Sequence, residues 1–284
     1  MNTAAIDVPG AKLFYKIRGT GPVLLTLQGG GGNADGSDAL AAALADRYTV
    51  IAYDRRGLSR SPVDDPSQSP GIRTHSDDAS RLLAALTDEP AFVFGCSLGA
   101  LIGLDLITAH PRQVRLLVAH EAGCAEFLDE PGRGEMLARQ HDVDDTFSRD
   151  GFLPAMRKFF TIAAADNDPE PETGRLPLTD EQAAQHAANA QFFLTNDAPA
   201  AHRYRPDLDA LKTGAASIIP AAGTLSRGSF PYRCAQALAD HLGRPLLEFP
   251  GNHSGYVLRP RAFAEALHQA LAQDTSPPAD VSRG

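Results

Sequence analysis

The stretch GCSLG at residues 95–99 places one hydroxyl between two glycines, after the apolar run AFVFG and before the helical pattern GALIGLDLITAH. A strand that turns at once into a helix forces its central residue toward unfavourable backbone angles, and flanking glycines supply the room this turn needs. The turn would hold the Ser97 hydroxyl at the carboxyl end of a sheet, where open α/β sheets bind ligands. The pattern predicts a nucleophilic serine, with the Leu98 N–H as an oxyanion donor. The alternative is a small-residue turn that serves close packing.

A histidine that could act as a base stands in PGNHSGY, residues 250–256. His253 lies in a short loop between the apolar segment PLLEFPG and a final helical pattern, and glycines on both sides allow a tight turn. A neutral imidazole there would accept the Ser97 proton and return it to a leaving group. An ordinary surface histidine is the alternative. No His, Cys, Asp or Glu set has convincing metal spacing, so we expect no metal.

A carboxylate that would orient this histidine ends the apolar run VRLLVAHE, residues 114–121. Adjacent strands lie about 4.8 Å apart, so Glu121 at the end of the next strand would be close to Ser97. A glutamate that ends an apolar strand is costly unless it is paired or catalytic. The alternatives are a pairing of Glu121 with Arg55 or Arg56, an acid at Glu126 or Asp129, and a Ser–His dyad helped by Ser226 and water.

Strands that alternate with helices must position these groups, and this alternation predicts a parallel α/β sheet. Strands are predicted at 12–19, 23–28, 49–54, 91–95, 114–121, 216–223 and 245–251, and helices at 38–48, 75–87, 99–110, 232–242 and 261–273. From 125 to 205 the pattern becomes helical and irregular, and Thr179 to Gln182 has the form of a capping box. We therefore expect a core of residues 1–124 and 206–273, a helical lid at 125–205, and a flexible tail at 274–284.

Composition restricts the class of partner. The chain has 284 residues, 43% hydrophobic content and a formal net charge of −9. This balance argues against nucleic acid or an anionic membrane as the main partner, because both reward basic patches. Three cysteines give no disulfide framework, no signal peptide is evident, and Asp105 interrupts the most apolar helical segment. We expect a cytoplasmic protein without a membrane span.

Together these motifs resemble the α/β-hydrolase superfamily over residues 10–272, except the divergent middle. TLQGGGGN at 26–33 is similar to the family's oxyanion loop, although Gln28 stands where histidine is common, and YDRRGLSRS at 53–61 is similar to its turn after the fourth strand. The resemblance implies Gly30 as the second oxyanion donor beside Leu98. It also implies an acid after the seventh strand, but SIIPAAGTLSRGSFPYR has no Asp or Glu. Some members, including certain lactonases, resemble the arrangement with Glu121 after strand six.

Three neighbouring groups are predicted to be structural. Cys96 is expected to be a buried thiol, and His120 a packed residue beside the acid. Asp54-Arg55-Arg56 is expected to pin the turn after its strand through arginine hydrogen bonds.

The predicted function is that of a serine hydrolase. Ser97, His253 and Glu121 would cleave an ester or lactone of a mainly apolar small molecule through an acyl-enzyme, with no cofactor. The apolar preference comes from aromatic and sulfur-containing side chains in the predicted lid, each of which could instead serve packing within the lid: Phe152, Phe159, Phe160, Phe192, Phe193, Met136, Met156 and Tyr204. Two alternatives stay open: acyl transfer, cyclisation or other cofactor-free chemistry in a biosynthetic pathway, and a non-catalytic ligand-binding homologue. A homodimer also stays open.

Overall fold

The fold is built around one eight-stranded sheet. The computed structural model describes residues 1–163, 168–172 and 178–273, and the predicted tail at 274–284 lies outside them. The strands are β1 Asn2–Val8, β2 Ala11–Arg18, β3 Val23–Leu27, β4 Thr49–Tyr53, β5 Ala91–Cys96, β6 Val114–His120, β7 Ile218–Gly223 and β8 Leu247–Phe249. Their order is β1-β2-β4-β3-β5-β6-β7-β8, with β1 and β2 antiparallel and the other six parallel. The predicted mostly parallel α/β fold is confirmed.

Helices cover both faces of the sheet, so the central strands are continuous apolar runs. The helices outside the middle of the chain are α1 Asp38–Leu44, α2 Ile72–Leu86 and α3 Leu98–Ala109, then, after the insertion described next, α8 Leu208–Thr213, α9 Phe230–Leu242, α10 Gly255–Leu258 and α11 Pro260–Leu271. Leu25 of β3 joins the core formed with α2 and α3, and Leu24 joins the opposite core formed with α1 and α11. Adjacent side chains of a strand point to opposite faces, which produces these two cores.

Residues 125–205, hereafter the helical insertion, leave the sheet between β6 and β7. They contain α4 Glu130–Asp150, α5 Phe152–Ala163, α6 Asp180–Phe192, a π-helical turn at Phe193–Asp197, and α7 Ala198–Arg203. The capping box predicted before α6 is confirmed, because Thr179 Oγ1 accepts the Gln182 N–H and Gln182 Oε1 accepts the Thr179 N–H. The exact division into core and lid stays a prediction.

One strand lies outside those that the sequence pattern predicts. In β1, six of the seven residues are not buried, and only Val8 is. The strand pairs with β2 at the edge of the sheet, and only its last part, with Ile6 and Val8, packs against the core. The alternation of large apolar residues is therefore too short to predict a strand. Among the described residues, no helix combines the length and apolarity that crossing a bilayer requires.

Two glycines let α3 pack directly against the sheet beside Ser97. A Cβ on Gly99 would lie 2.0 Å from the Leu27 carbonyl oxygen, and a Cβ on Gly95 would lie 2.5 Å from the Gly99 carbonyl oxygen. Both neighbours are backbone atoms, so neither contact can be relieved by a rotamer change. Gly95 and Gly99, on either side of the serine, are therefore required because α3 approaches the strand backbone too closely for a side chain.

Replacing Gly99 with alanine should destabilise the fold by at least the ~1–3 kcal/mol typical of overpacking, because strand backbone would have to move. Gly134→Ala is the matched control: it also lies in a helix, but no neighbouring atom from residues 1–163, 168–172 or 178–273 stands within 4 Å of the added Cβ. That variant should gain roughly 0.5–1 kcal/mol from helix propensity. Urea unfolding measures both, and equal midpoints for the two variants would contradict the packing argument.

Candidate active site

Ser97 stands in a strained turn between β5 and α3. Its backbone angles are φ 55° and ψ −119°, outside the regions that L-residues favour, and its N–H donates to the His120 carbonyl at 2.9 Å. Strain of this kind costs about 1–3 kcal/mol and persists only where the surroundings enforce it. The tight strand-to-helix turn predicted from the glycine spacing is present.

Glu121 leaves β6 at the same level as Ser97 leaves β5. The parallel register pairs Cys96 with His120, so the next residue of each strand is the serine or the glutamate. Glu121 also has a positive φ of 50° and is fully buried. Its Oε1 accepts the Gly223 N–H from the end of β7 at 2.8 Å, and its Oε2 lies 2.5 Å from Nδ1 of His253. The predicted acid and the predicted base are therefore hydrogen bonded.

Glu121 is an ionised carboxylate despite its burial. Burial by itself raises the pKa, but the hydrogen bond from His253, the neighbouring His120 and the Gly223 N–H outweigh it and lower the pKa of Glu121 to about 2. A buried charge needs such partners, because its desolvation is otherwise prohibitive. The negative charge is thus held against Nδ1 of His253.

His253 and Ser97 face the same space, since both side chains line the two cavities that meet at this edge of the sheet. The loop that carries His253 is held from below, where the Cys96 thiol donates to the His253 carbonyl at 3.3 Å. Burial raises the pKa of Cys96 well above its usual range, which suits a structural thiol.

His120 is also a buried neighbour of the site. Burial lowers the pKa of His120 to about 4, and its ring packs against Phe94 and Phe263. Cys96 and His120 both occupy the structural positions that the sequence predicts.

The alternative acids make contacts elsewhere. Glu126 pairs with Arg133 at 2.6 Å and with Arg205 at 3.1 Å. Asp129 caps α4 by accepting the Gly132 N–H at 3.0 Å. Ser226 is buried, and its Oγ has no hydrogen-bond partner in the described part of the chain. The carboxylate that contacts His253 is Glu121.

The glycine loop after β3 lies against the serine. A Cβ on Gly29 would stand 3.3 Å from the Ser97 Cβ. The Gly29 carbonyl accepts the Gly32 N–H at 2.9 Å, and because the C=O and N–H of a trans peptide point in opposite directions, the Gly30 N–H points away from that turn. Leu98 begins α3, where backbone N–H groups have no partner within the helix. The N–H groups of Gly30 and Leu98, the two predicted oxyanion donors, are therefore not used in the hydrogen bonds of their local turns.

Arg55 holds the glycine loop from inside the protein, a role that sequence reasoning missed. The side chain is 2% exposed, and its guanidinium donates to the carbonyls of Gln28, at 2.8 Å, and Gly30. It also contacts the buried carboxylate of Asp197 at 3.2 Å, and the other oxygen of Asp197 lies 3.1 Å from Nε2 of His75. Burial opposes ionisation of Asp197, but His75 and Arg55 together lower its pKa. Arg55 and Asp197 are 142 residues apart in the sequence, so no local sequence pattern predicts their contact.

The helical insertion also rests on loop backbone. A Cβ on Gly57 would lie 2.1 Å from the Phe192 ring, and one on Gly31 would lie 2.9 Å from the Ala190 nitrogen. Asn189 of α6 accepts the Ser59 N–H at 2.9 Å and donates to its hydroxyl at 2.8 Å. The insertion and the two loops beneath it therefore form one packed unit.

Two cavities extend from Ser97 and His253. The smaller one, hereafter the inner chamber, has a volume of about 80 Å³ and lies between α4, α5 and the Phe193–Arg203 segment. The larger one measures about 540 Å³, includes the glycine loop, and reaches the exposed side chains of Phe160 and Leu178. Five of the apolar side chains predicted for the substrate side line one or both cavities: Met136, Met156, Phe159, Phe160 and Phe193. In the part of the chain that the structure describes, no group of three or more His, Cys, Asp or Glu could hold a metal ion.

Known proteins share this architecture. A family model for the alpha/beta hydrolase fold matches residues 22–159. The uncharacterized hydrolase YraK of Bacillus subtilis is 38% identical over 278 residues, covering 96% of this chain and 97% of its own. The chain belongs to the α/β-hydrolase superfamily. This α/β-hydrolase is accordingly a hydrolytic enzyme.

Solved structures share the fold of this α/β-hydrolase at low identity. Est816, described as an N-acyl homoserine lactone degrading enzyme, has a TM-score of 0.68 at 20% identity, covering 94% of this chain and 99% of Est816. A thermophilic esterase from Thermogutta terrifontis has a TM-score of 0.70 at 18% identity, covering 97% of this chain and 100% of the esterase chain. At these identities the likeness concerns the fold.

Asp197→Asn should destabilise this α/β-hydrolase by roughly 3 kcal/mol, because it leaves the buried Arg55 cation without its counter-charge. Asp142→Asn is the control, since it removes a pair with Lys158 on the surface of the same insertion, where side chains are 40% and 62% exposed. A surface pair contributes about 0–1 kcal/mol. Chemical unfolding followed by circular dichroism compares the two variants. Similar decreases in the free energy of unfolding would show that the buried pair stabilises the fold no more than the surface pair does.

The stability that the ionised Glu121 contributes should disappear in acid. The pKa of Glu121 is about 2 in the folded protein against an ordinary 4.5, so the contribution is complete above pH 4.5 and is lost as pH falls toward 2. The difference in unfolding free energy between the wild type and Glu121→Gln should therefore shrink between pH 4.5 and 2.5. Urea midpoints at half-unit intervals measure it, and a difference that stays constant over this range contradicts the assignment.

Proposed function

We propose that this α/β-hydrolase cleaves esters or lactones of mainly apolar small molecules through an acyl-enzyme on Ser97. The observation that carries the proposal is the contact of 2.5 Å between the buried Glu121 carboxylate and Nδ1 of His253, next to a cavity that both His253 and Ser97 line. A carboxylate on Nδ1 favours the tautomer with its proton on that nitrogen. Nε2 is then free to act as a base.

The proposed reaction begins when Nε2 of His253 takes the Ser97 proton and Oγ attacks the substrate carbonyl. The N–H groups of Gly30 and Leu98 stabilise the oxyanion of the tetrahedral intermediate. The intermediate collapses to an acyl-enzyme as His253 gives its proton to the leaving alkoxide. Water, deprotonated by the same imidazole, then attacks the acyl carbon, the bond to Ser97 Oγ breaks, and His253 returns its proton to that oxygen as the acid is released. Glu121 stabilises the imidazolium in both halves.

The preference for an apolar substrate rests on the walls of the inner chamber. Phe159 and Phe193 stand on one side with ring centroids 5.0 Å apart, and Met136 and Phe230 stand elsewhere on the lining. Burying apolar substrate surface there contributes about 25 cal/mol per Å². The lactone-degrading Est816 and the esterase from Thermogutta terrifontis, both of the same fold, support ester or lactone cleavage as the reaction class.

Active-site labelling and aryl ester hydrolysis test the proposal together. A fluorophosphonate probe should label the wild type on Ser97, and Ser97→Ala should lose both labelling and turnover of a p-nitrophenyl ester series while keeping its circular dichroism spectrum. Glu121→Gln should keep the fold and lower kcat by up to ~10⁴-fold, as when a triad acid is neutralised.

Ser226→Ala is the matched control for the acid, because it lies near the position where a seventh-strand acid would stand and should retain activity. Near-normal turnover by Glu121→Gln would exclude Glu121 as the acid. Turnover by Ser97→Ala at the wild-type rate would exclude the acyl-enzyme. Adding excess alcohol and analysing products separates hydrolysis from acyl transfer.

A further inference from the structure

The inner chamber has a polar end far from Ser97. One face of α4 lines it with Met136, Gln140, Val143 and Asp144, whose spacing of four, seven and eight residues marks a single helical stripe. Met136 marks the end near the catalytic groups, because its Cε lies 4.0 Å from where a Cβ on Gly123 would stand, two residues after Glu121. Asp144 lies eight residues further, about 12 Å along the helix axis.

The opposite wall runs in the same direction. Phe193 begins it, with ring atoms 3.7 Å from where a Cβ on Gly30 would stand. His202 of α7 lines the chamber nine residues later, and its Nδ1 lies 3.9 Å from Oδ2 of Asp144. The two walls therefore converge on a pair of polar side chains at the end distant from the glycine loop.

This end is rich in hydrogen-bond acceptors. Among the residues that the structure describes, the buried Oε1 atom of Gln140 has no hydrogen-bond partner, which is unfavourable unless a ligand supplies a donor. The Asp144 side chain is 43% exposed, and its contact with His202 at 3.9 Å is too long for a hydrogen bond, so the carboxylate can still accept one from a ligand that reaches this end. Burial lowers the pKa of His202 to about 4, so the imidazole is neutral at neutral pH and does not neutralise the carboxylate.

We infer that this end of the chamber binds a hydrogen-bond donor, a hydroxyl or an ammonium group, at the far end of the substrate's acyl chain. Gln140 and Asp144 are the specificity-determining residues. The inference rests on the proposed function, because Ser97 defines where the acyl carbonyl lies. The acyl group belongs in the inner chamber because the leaving group must depart before water attacks, and the larger cavity reaches exposed side chains.

The distance to Gln140 sets the length of that chain. Gln140 lies four residues beyond Met136 on α4, about 6 Å along the helix axis. An acyl chain with about six atoms beyond the carbonyl, joined by bonds of about 1.5 Å and ending in an oxygen or nitrogen, covers that distance. The substrate class is therefore an ω-hydroxyacyl or ω-aminoacyl ester.

Three isosteric substrates test the inference: p-nitrophenyl heptanoate, 6-hydroxyhexanoate and 6-aminohexanoate, which differ only in a terminal methyl, hydroxyl or ammonium group. The wild type should prefer one of the two donor-bearing esters over heptanoate by about 3- to 10-fold in kcat/KM, the gain of one net hydrogen bond. Gln140→Leu should reverse the order and favour heptanoate, because a leucine removes the unpaired acceptor. Asp144→Asn should reduce the preference for the ammonium ester most strongly.

Asp142→Asn is the matched control, since it removes the same charge from the surface of the same helix and pairs with Lys158 rather than lining the chamber. It should keep the wild-type order. Equal kcat/KM values for the three esters in the wild type, or an unchanged order in Gln140→Leu, would overturn the inference while leaving the acyl-enzyme proposal intact.

A binding measurement keeps the inference testable if Ser97 proves not to be the nucleophile. Calorimetry on Ser97→Ala with the amides of heptanoic and 6-hydroxyhexanoic acid should show tighter binding of the hydroxyl form by about 3- to 10-fold, and Gln140→Leu in that background should abolish the difference. Equal affinities in the single variant would overturn it.

Discussion

The register between β5 and β6 determines where the polar groups of the site stand. Cys96 and His120 are partners across the parallel ladder, so Ser97 and Glu121 leave the sheet side by side. Both have positive φ, which turns each chain sharply out of its strand instead of letting it run on. A one-residue shift in this register would move one of the two to the wrong level, because successive residues of a strand face opposite sides.

Each charge buried near the site is compensated by groups from another part of the chain. Glu121 is held by His253 and by the backbone of Gly223, and Arg55 is held by Asp197 and by two carbonyls of the glycine loop. Isolated ions would not be tolerated at this depth, so each contact fixes the position of both partners. The second set ties the helical insertion to the loop that would bind an oxyanion.

The sequence predicted the parts of the fold where pattern and burial agree. Central strands and the strained serine turn were predictable because buried apolar runs and glycine spacing are local signals. β1 was not, because it is held by edge pairing and only Ile6 and Val8 pack against the core. The contact of Glu121 with His253 followed from the adjacency of two strands. The contact of Arg55 with Asp197 did not, because it depends on how the insertion folds back over the core. The same holds for the acceptor end of the chamber at Gln140. The catalytic roles themselves stay predictions.

Gly31 and Gly57, the glycines beneath α6, limit how the substrate range of this enzyme can be changed. Gly57 and Gly31 leave no room for a side chain, and the insertion fills that room with its own backbone and a phenylalanine ring. Grafting the insertion from a relative would place foreign helices on loops shaped for these ones, so the segment is not an interchangeable module. Single substitutions in the chamber lining are therefore expected to change specificity with less damage to the fold than exchange of the whole insertion.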